Sequence, residues 1–352
     1  MKPRALLLAA ALALHAATTF AQTPVTIDDL RAPTSPAFVL LDVTPASVER
    51  PENPKSFAVN VINKLTSDSG FPKNYALDVA PYWLMSHPAL TFDQYQNPGI
   101  RQSIAQTLSF SIATTPLQLL ATGTGAAAAA TGTRLGAGAR VNIWNGRPNP
   151  KLKDLVDQLA AIDDAILDDV LNNRPDAADR AKALAKALEI QALDAQRLGF
   201  LLTVAAGQVW NYPGDIVETV QTDRRGAWVT PAYRFRACGV DGNACDAFMD
   251  VIGVVRALHD PGAATMWDVG GRFVWQPNKQ LSVSAESLRR RGAATTPDSN
   301  RTVGMLEYRL TDDTSLYATF GQDFAKATGQ QPLASLMGLN VGFGNKAVVK
   351  SK

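Results

Sequence analysis

The sequence predicts an all-β fold: an antiparallel transmembrane β-barrel of about 12 strands with an inserted α-helical hairpin. Three observations point there. Apolar and polar residues alternate with a period of two through most of residues 71–344. The apolar face of those strands carries aromatic residues toward its ends. The chain also opens on an export signal yet holds no later run of ~18 apolar residues, so strands rather than helices would have to cross the bilayer.

The export signal comes first. Lys2 and Arg4 precede a short apolar stretch from Ala5 to Ala17, and Thr19-Phe20-Ala21 offers a small-x-small cleavage site, so residues 1–21 read as a signal peptide. Its removal takes two bases and no acid, which leaves 32 basic against 32 acidic residues in the mature chain. A neutral chain with no concentrated basic face excludes nucleic acid as a partner. With 46% hydrophobic and 19% charged residues, a disordered chain or a disulfide-dense miniprotein is excluded as well.

The strands follow in order. Tyr75, Leu77, Val79, Pro81 and Trp83 oppose Ala76, Asp78, Ala80 and Tyr82. Ile104 to Thr114 would turn Ile104, Leu108, Phe110 and Ile112 outward. From Arg134 to Trp144 the alternation is cleanest, with Leu135, Ala137, Ala139, Val141 and Ile143 against Arg134, Gly136, Gly138, Arg140 and Asn142. Further strands are expected at Leu198 to Trp210, around Val229 to Arg236, and at Phe248 to Ala257, Thr265 to Trp275, Leu281 to Arg290, Thr302 to Leu310, Thr314 to Phe324 and Leu333 to Phe343. Trp267 and Trp275 at the two ends of one face have the placing of interfacial girdles. That makes eleven, and a closed bacterial barrel needs an even number; a twelfth is sought at Phe38 to Val43 or Phe57 to Leu65.

The opposite face repeatedly carries charge: Asp78, Arg140, Arg234, Arg236, Asp268, Arg272, Glu307 and Arg309 are the candidate lumen-lining residues, with Asp250, Arg256, Glu286, Arg290 and Asp323 on the same side. A soluble secreted sandwich would alternate in the same way, with its apolar faces packed together and its charged faces in water; the export signal, the number of strands and the aromatic residues toward the strand ends favour the membrane barrel.

With its signal peptide, its run of amphipathic strands and a last strand ending at Phe343, the chain resembles Gram-negative outer-membrane β-barrel proteins as a class, over about residues 74 to 344. The resemblance implies an outer-membrane location and lipid as the surrounding partner. One departure is the basic tail, residues 345–352, after the final aromatic residue.

Two parts are not barrel. Within 150–196, Leu152, Leu155, Val156, Leu159, Ile162 and Ile166 recur at helical spacing before Asn172-Asn173-Arg174-Pro175 breaks the run, so this region reads as a helical hairpin that is either self-paired through its charges or holds a periplasmic or surface protein. Residues 22–70 are Pro-rich and suit either a plug in the lumen or a periplasmic extension. In an exported chain, Cys238 and Cys245 around a Gly- and Asp-rich loop suit a disulfide.

Chemistry has little to build on. The Gly-x-Gly pairs between Thr122 and Gly138 lack a phosphate-loop Lys-Ser/Thr, and no metal-spaced His cluster, cofactor motif or Gly-x-Ser-x-Gly is present. His87 and His259, the two mature histidines, stand in loop or strand-end settings. The sequence therefore points to a channel or transporter for a polar or anionic solute, with a non-conducting anchor for an envelope assembly as the alternative and a lipid-modifying enzyme a distant third.

Overall fold

The computed structural model describes residues 25–27, 30–31, 34–64, 74–85, 90–118, 131–147, 197–236, 247–292, 298–325, 332–344 and 347–350. Twelve antiparallel strands close into a barrel. In chain order they are β1 (Phe57–Lys64), β2 (Asn74–Val79), β3 (Ser109–Gln118), β4 (Thr131–Arg147), β5 (Leu198–Pro213), β6 (Gln221–Arg236), β7 (Phe248–His259), β8 (Met266–Gln276), β9 (Leu281–Arg291), β10 (Ser299–Arg309), β11 (Thr314–Gln322) and β12 (Leu333–Phe343). Each pairs with its chain neighbour, and β12 closes on β1 with Phe343 opposite Phe57. No helix among the described residues is long and apolar enough to cross a membrane; the crossing is made by strands.

The two faces of the wall meet different surroundings. Outward lie Tyr75, Leu77, Phe110, Ile112, Val229, Tyr233, Val251, Val255, Trp267, Phe273, Trp275, Leu306, Phe320 and Met337, all exposed. An aqueous protein would hide such a belt; here it is the lipid-facing surface of a barrel, with most inward residues of the same strands buried. In β4 the register shifts twice, between Asn142 and Trp144 and between Asn145 and Arg147. A bulge between Asn142 and Trp144 turns Ile143 and Trp144 both outward, after which Asn145 resumes the inner face.

The twelfth strand is Phe57–Lys64, so the barrel begins inside the region that the sequence assigned to residues 22–70 and ahead of residue 71. Phe38 to Val43 is instead part of an inner segment, residues 34–56, that runs through the lumen. It opens with a five-residue helix, α1 (Pro36–Leu40). Pro36 suits the first helical position because its missing N–H would have no partner there. The helix stops in a Schellman turn: Asp42 adopts φ 53°, its N–H reaches Val39 O at 3.3 Å, and Val43 N reaches Phe38 O at 3.3 Å. All five helical residues and Leu41 are buried. With every one of its residues buried, α1 has no exposed polar face and so no amphipathic period to read.

Of two other strand expectations, one ends early and one starts late. Pro81 and Trp83 leave the sheet for a helix, α2 (Pro81–Leu84), and Ile104 and Leu108 belong to the last turns and cap of α4 (Ile100–Thr107), preceded by α3 (Phe92–Gln96). Trp83 Nε1 donates to Gln106 O at 2.8 Å, tying α2 to α4. The basic tail is also structured in part: Ala347–Lys350 pairs with Val25–Ile27 and, in parallel, with Leu90–Thr91. The hairpin expected in 150–196, the signal peptide, His87 and both cysteines lie outside the described residues.

Candidate functional site

The lumen is the only interior a barrel offers, and the inner segment occupies it. Its seat is a row of minimal side chains. Ser111, Gly138, Gly207 and Gly226 stand directly opposite one another across β3, β4, β5 and β6. The bare backbone lets α1 come against the wall: a Cβ on Gly207 would lie 2.8 Å from Leu40 Cδ1, and one on Gly226 2.8 Å from Leu40 Cδ2. Ser111 Oγ accepts the Ala37 N–H at 3.0 Å, satisfying one of the orphan donors of the first helical turn. The Gly-x-Gly spacing thus provides room for a helix.

The rest of the segment is held by charge. Arg234 pairs with Asp250 directly across β6 and β7 at 2.7 Å, and Arg50 from the segment joins the same carboxylate at 2.5 Å. Arg256, Asp268 and Arg290 stand in one row across β7, β8 and β9, with Asp268 accepting from both guanidiniums at 2.6 and 2.8 Å. Arg290 also reaches Asp42 at 3.1 Å, and Arg224 bridges Asp42 and Asp260. Glu286 accepts Ser47 N at 3.1 Å, Val48 N at 2.8 Å and Arg301 Nε at 3.1 Å. In return the wall guanidiniums donate to segment carbonyls: Arg256 to Ser47 O, Arg272 to Val48 O, and Arg301 to Thr44 O and Pro45 O. Asp42 belongs to no strand, and its carboxyl is held well below the usual carboxylate range. Burial alone would push it up; the Arg290 and Arg224 guanidiniums more than reverse that.

The eight candidate lumen residues take the following places. Arg234, Asp268 and Arg272 join the networks above, with Arg272 Nε also on Ser284 Oγ at 3.1 Å. Asp78 is buried and accepts from Asn60 Nδ2 at 3.0 Å, while buried Arg140 donates Nε to Ser109 Oγ at 3.2 Å. Arg236, half-buried, lies over the Phe248 ring at 5.8 Å. Glu307 and Arg309, also half-buried, line a recess with Glu52 beside the 311–314 turn. Above it, a polar cavity of about 50 Å³ remains between the segment and the wall, lined in part by Arg50, Glu52, Asn60, Arg272, Glu307 and Tyr317, with room for a few water molecules. Asp42, Glu49, Arg50 and Arg301 were absent from the candidates. For the first three no periodic pattern marks the segment, and their partners lie roughly 180 to 250 residues away. Arg301 was missed because its strand starts three residues before the predicted one. Among the described residues no group of three or more His, Cys, Asp or Glu is placed to hold a metal ion.

A closed, even-stranded antiparallel barrel with an apolar, aromatic exterior and a charged interior is an outer-membrane β-barrel protein. No protein-family model matches the chain, and no curated protein matches its sequence. Among solved structures it is similar to the KdgM porin (8% identity, TM-score 0.35, covering 82% of this chain and 98% of that one). It is similar also to LpxR from Salmonella typhimurium (9%, TM-score 0.40, 82% and 99%) and to the Acinetobacter baumannii outer membrane protein Omp33 (9%, TM-score 0.32, 82% and 98%).

Proposed function

We propose that this protein is an outer-membrane channel for a small polar or anionic solute, here in a closed form whose gate is the inner segment, residues 34–56. The observation that supports this reading is what the wall arginines are bonded to. Arg256, Arg272 and Arg301 direct guanidinium N–H groups at backbone oxygens of residues 44–48. Those oxygens occupy the places that the oxygens of a passing solute would take once the segment moved, and lumen charge sets selectivity in such pores. The carboxylates between the arginines keep the ladder from becoming a trap for anions, as conduction requires. The cavity of about 50 Å³ beside the seated segment has room for a few waters.

A second reading, a non-conducting anchor that holds a periplasmic or surface protein through residues 150–196, draws on the apolar seat of α1, which buries Phe38, Leu40 and Leu41 at ~1.5–3 kcal/mol each.

The experiment is to excise the segment without touching β1. Leu30 and Arg31 pair in parallel with Asn53 and Pro54, so the ends of the excised part lie side by side and about four glycines can replace residues 32–52. In planar bilayers the wild type is expected to conduct weakly and the excised barrel strongly, with anion preference. A barrel that keeps its heat-modifiable migration but does not conduct after excision overturns the channel and leaves the anchor.

A further inference from the structure

We propose that Arg225, with Gln208 and His259, forms an outward-facing site for the phosphorylated headgroup of an anionic lipid in the outer leaflet. The three residues stand directly opposite one another on β5, β6 and β7. They share the lipid-facing side of the wall with Ala227 and Val229, whereas Arg224, Trp228 and Thr230 point inward. Together with Thr222 and Pro261 they line a shallow external recess of about 270 Å³.

Height places the recess at a membrane interface. Both chain ends of the barrel and its two tightest connections, residues 277–280 and 310–313, lie at one end, and short turns are periplasmic in barrels of this kind, so the opposite rim faces the outer leaflet. Along β6 the outward residues run Phe235, Tyr233, Pro231, Val229, Ala227 and then Arg225. Ten residues of a strand tilted by ~40° rise about 25 Å, the height of the apolar band. With Phe235 at the periplasmic interface, Arg225 emerges where headgroups begin. Trp267, outward on β8, marks the same border.

Charge selects the ligand. Among the described residues no carboxylate pairs with Arg225, and the nearest acids in sequence are engaged elsewhere: Asp223 with Arg134 at 2.5 Å and Asp260 with Arg224 at 2.7 Å, both on the inner side. A guanidinium set beside a histidine, with an amide on its other flank, offers several N–H donors to one anion and gains nothing from its wall neighbours. A phosphate suits that fork, and the lipid chains below it would lie on Ala227, Val229 and Val255. The site is independent of whether the lumen conducts.

The test uses the full-length barrel refolded in detergent and native mass spectrometry, with three probes at equal concentration: a diphosphorylated lipid A, its dephosphorylated form and inorganic phosphate. The phosphorylated lipid is expected to give a bound species that weakens about tenfold in R225A, further with H259A added, and partly recovers in R225K. Heat-modifiable migration verifies that each variant is folded. Unchanged lipid binding in R225A, equal binding of the dephosphorylated lipid, or binding of free phosphate as tight as that of the lipid would each overturn the proposal.

Discussion

Arg256 and Asp268 face each other across β7 and β8 with both side chains fully buried, and the same carboxylate also holds Arg290. One acid thus bonds two guanidiniums, accepting from Arg256 at 2.9 and 2.6 Å and from Arg290 at 2.8 and 3.0 Å, and Asp42 supplies the second negative charge through Arg290. Removing one member of such a cluster leaves buried charge uncompensated, which costs more than the cluster itself contributes. Asp268→Asn is expected to destabilise the refolded barrel by ~3–5 kcal/mol in urea titrations, against less than ~1 kcal/mol for Glu307→Gln in the open recess. Equal losses would mean that the buried cluster is not what holds these strands and the segment together.

The glycine row makes a separate prediction, because it concerns shape and not charge. A Cβ on Gly226 would meet Leu40 Cδ2 at 2.8 Å and Leu258 Cδ2 at 2.7 Å, so a larger residue must push α1 off its seat or distort the wall. Gly226→Val is expected to cost ~1–3 kcal/mol and to expose the segment to chymotrypsin at Phe38, which is otherwise buried. Cleavage unchanged from wild type would show that α1 is not seated on this row.

The two faces of the wall are distinguishable by fluorescence. Trp228 points inward, is 2% exposed and donates Nε1 to Glu49 at 3.2 Å, while Trp267 points outward and is 48% exposed. In single-Trp variants reconstituted into bilayers with brominated acyl chains, Trp267 emission is expected to be strongly quenched and Trp228 emission spared. Quenching of both, or of Trp228 alone, would contradict the inside-outside assignment of β6 and β8.

The wall was legible in the sequence because each strand separates two media, and a period of two records that directly: β4 through β12 fall where Arg134, Val229, Trp267 or Leu333 alternate with their neighbours. The failures have physical causes. Tyr75 to Trp83 alternates past the end of β2, but Pro81 has no N–H for the ladder and opens α2 instead. In Ile104 to Leu108 a three-to-four spacing competed with the alternation and helix won. The inner segment was opaque for a different reason. Phe38 to Leu41 and Val43 are all buried, so no apolar face stands out from a polar one, and Asp42, Glu49 and Arg50 find partners on strands far away in sequence. In the sequence the candidate charges on the wall are marked by the face they share, whereas what they bind leaves no mark there.

Asp42 gives the last prediction, and it concerns pH. Its carboxyl sits well below the usual carboxylate range because Arg290 and Arg224 favour the charged form more than burial disfavours it. A lowered value means that the anchoring contribution is fully present above the ordinary carboxylate range and is lost only as pH falls through the depressed value in strong acid. Between pH 7 and pH 5 the inner segment should therefore stay seated, and a gate opened by mild acid through this residue is not expected. Asp42→Asn removes the charge at every pH while keeping a side chain that tolerates the positive φ of the Schellman turn. Hydrogen exchange at the Val39 and Leu41 amides, which bond to Ser35 O and Ala37 O, reports the seat directly. Exchange is expected to be slow and pH-corrected rates flat in the wild type, and faster by about tenfold or more in D42N at pH 7, the loss of a charge-assisted bond pair. A wild type that loosens between pH 7 and pH 5, with D42N no faster, would place the anchor elsewhere.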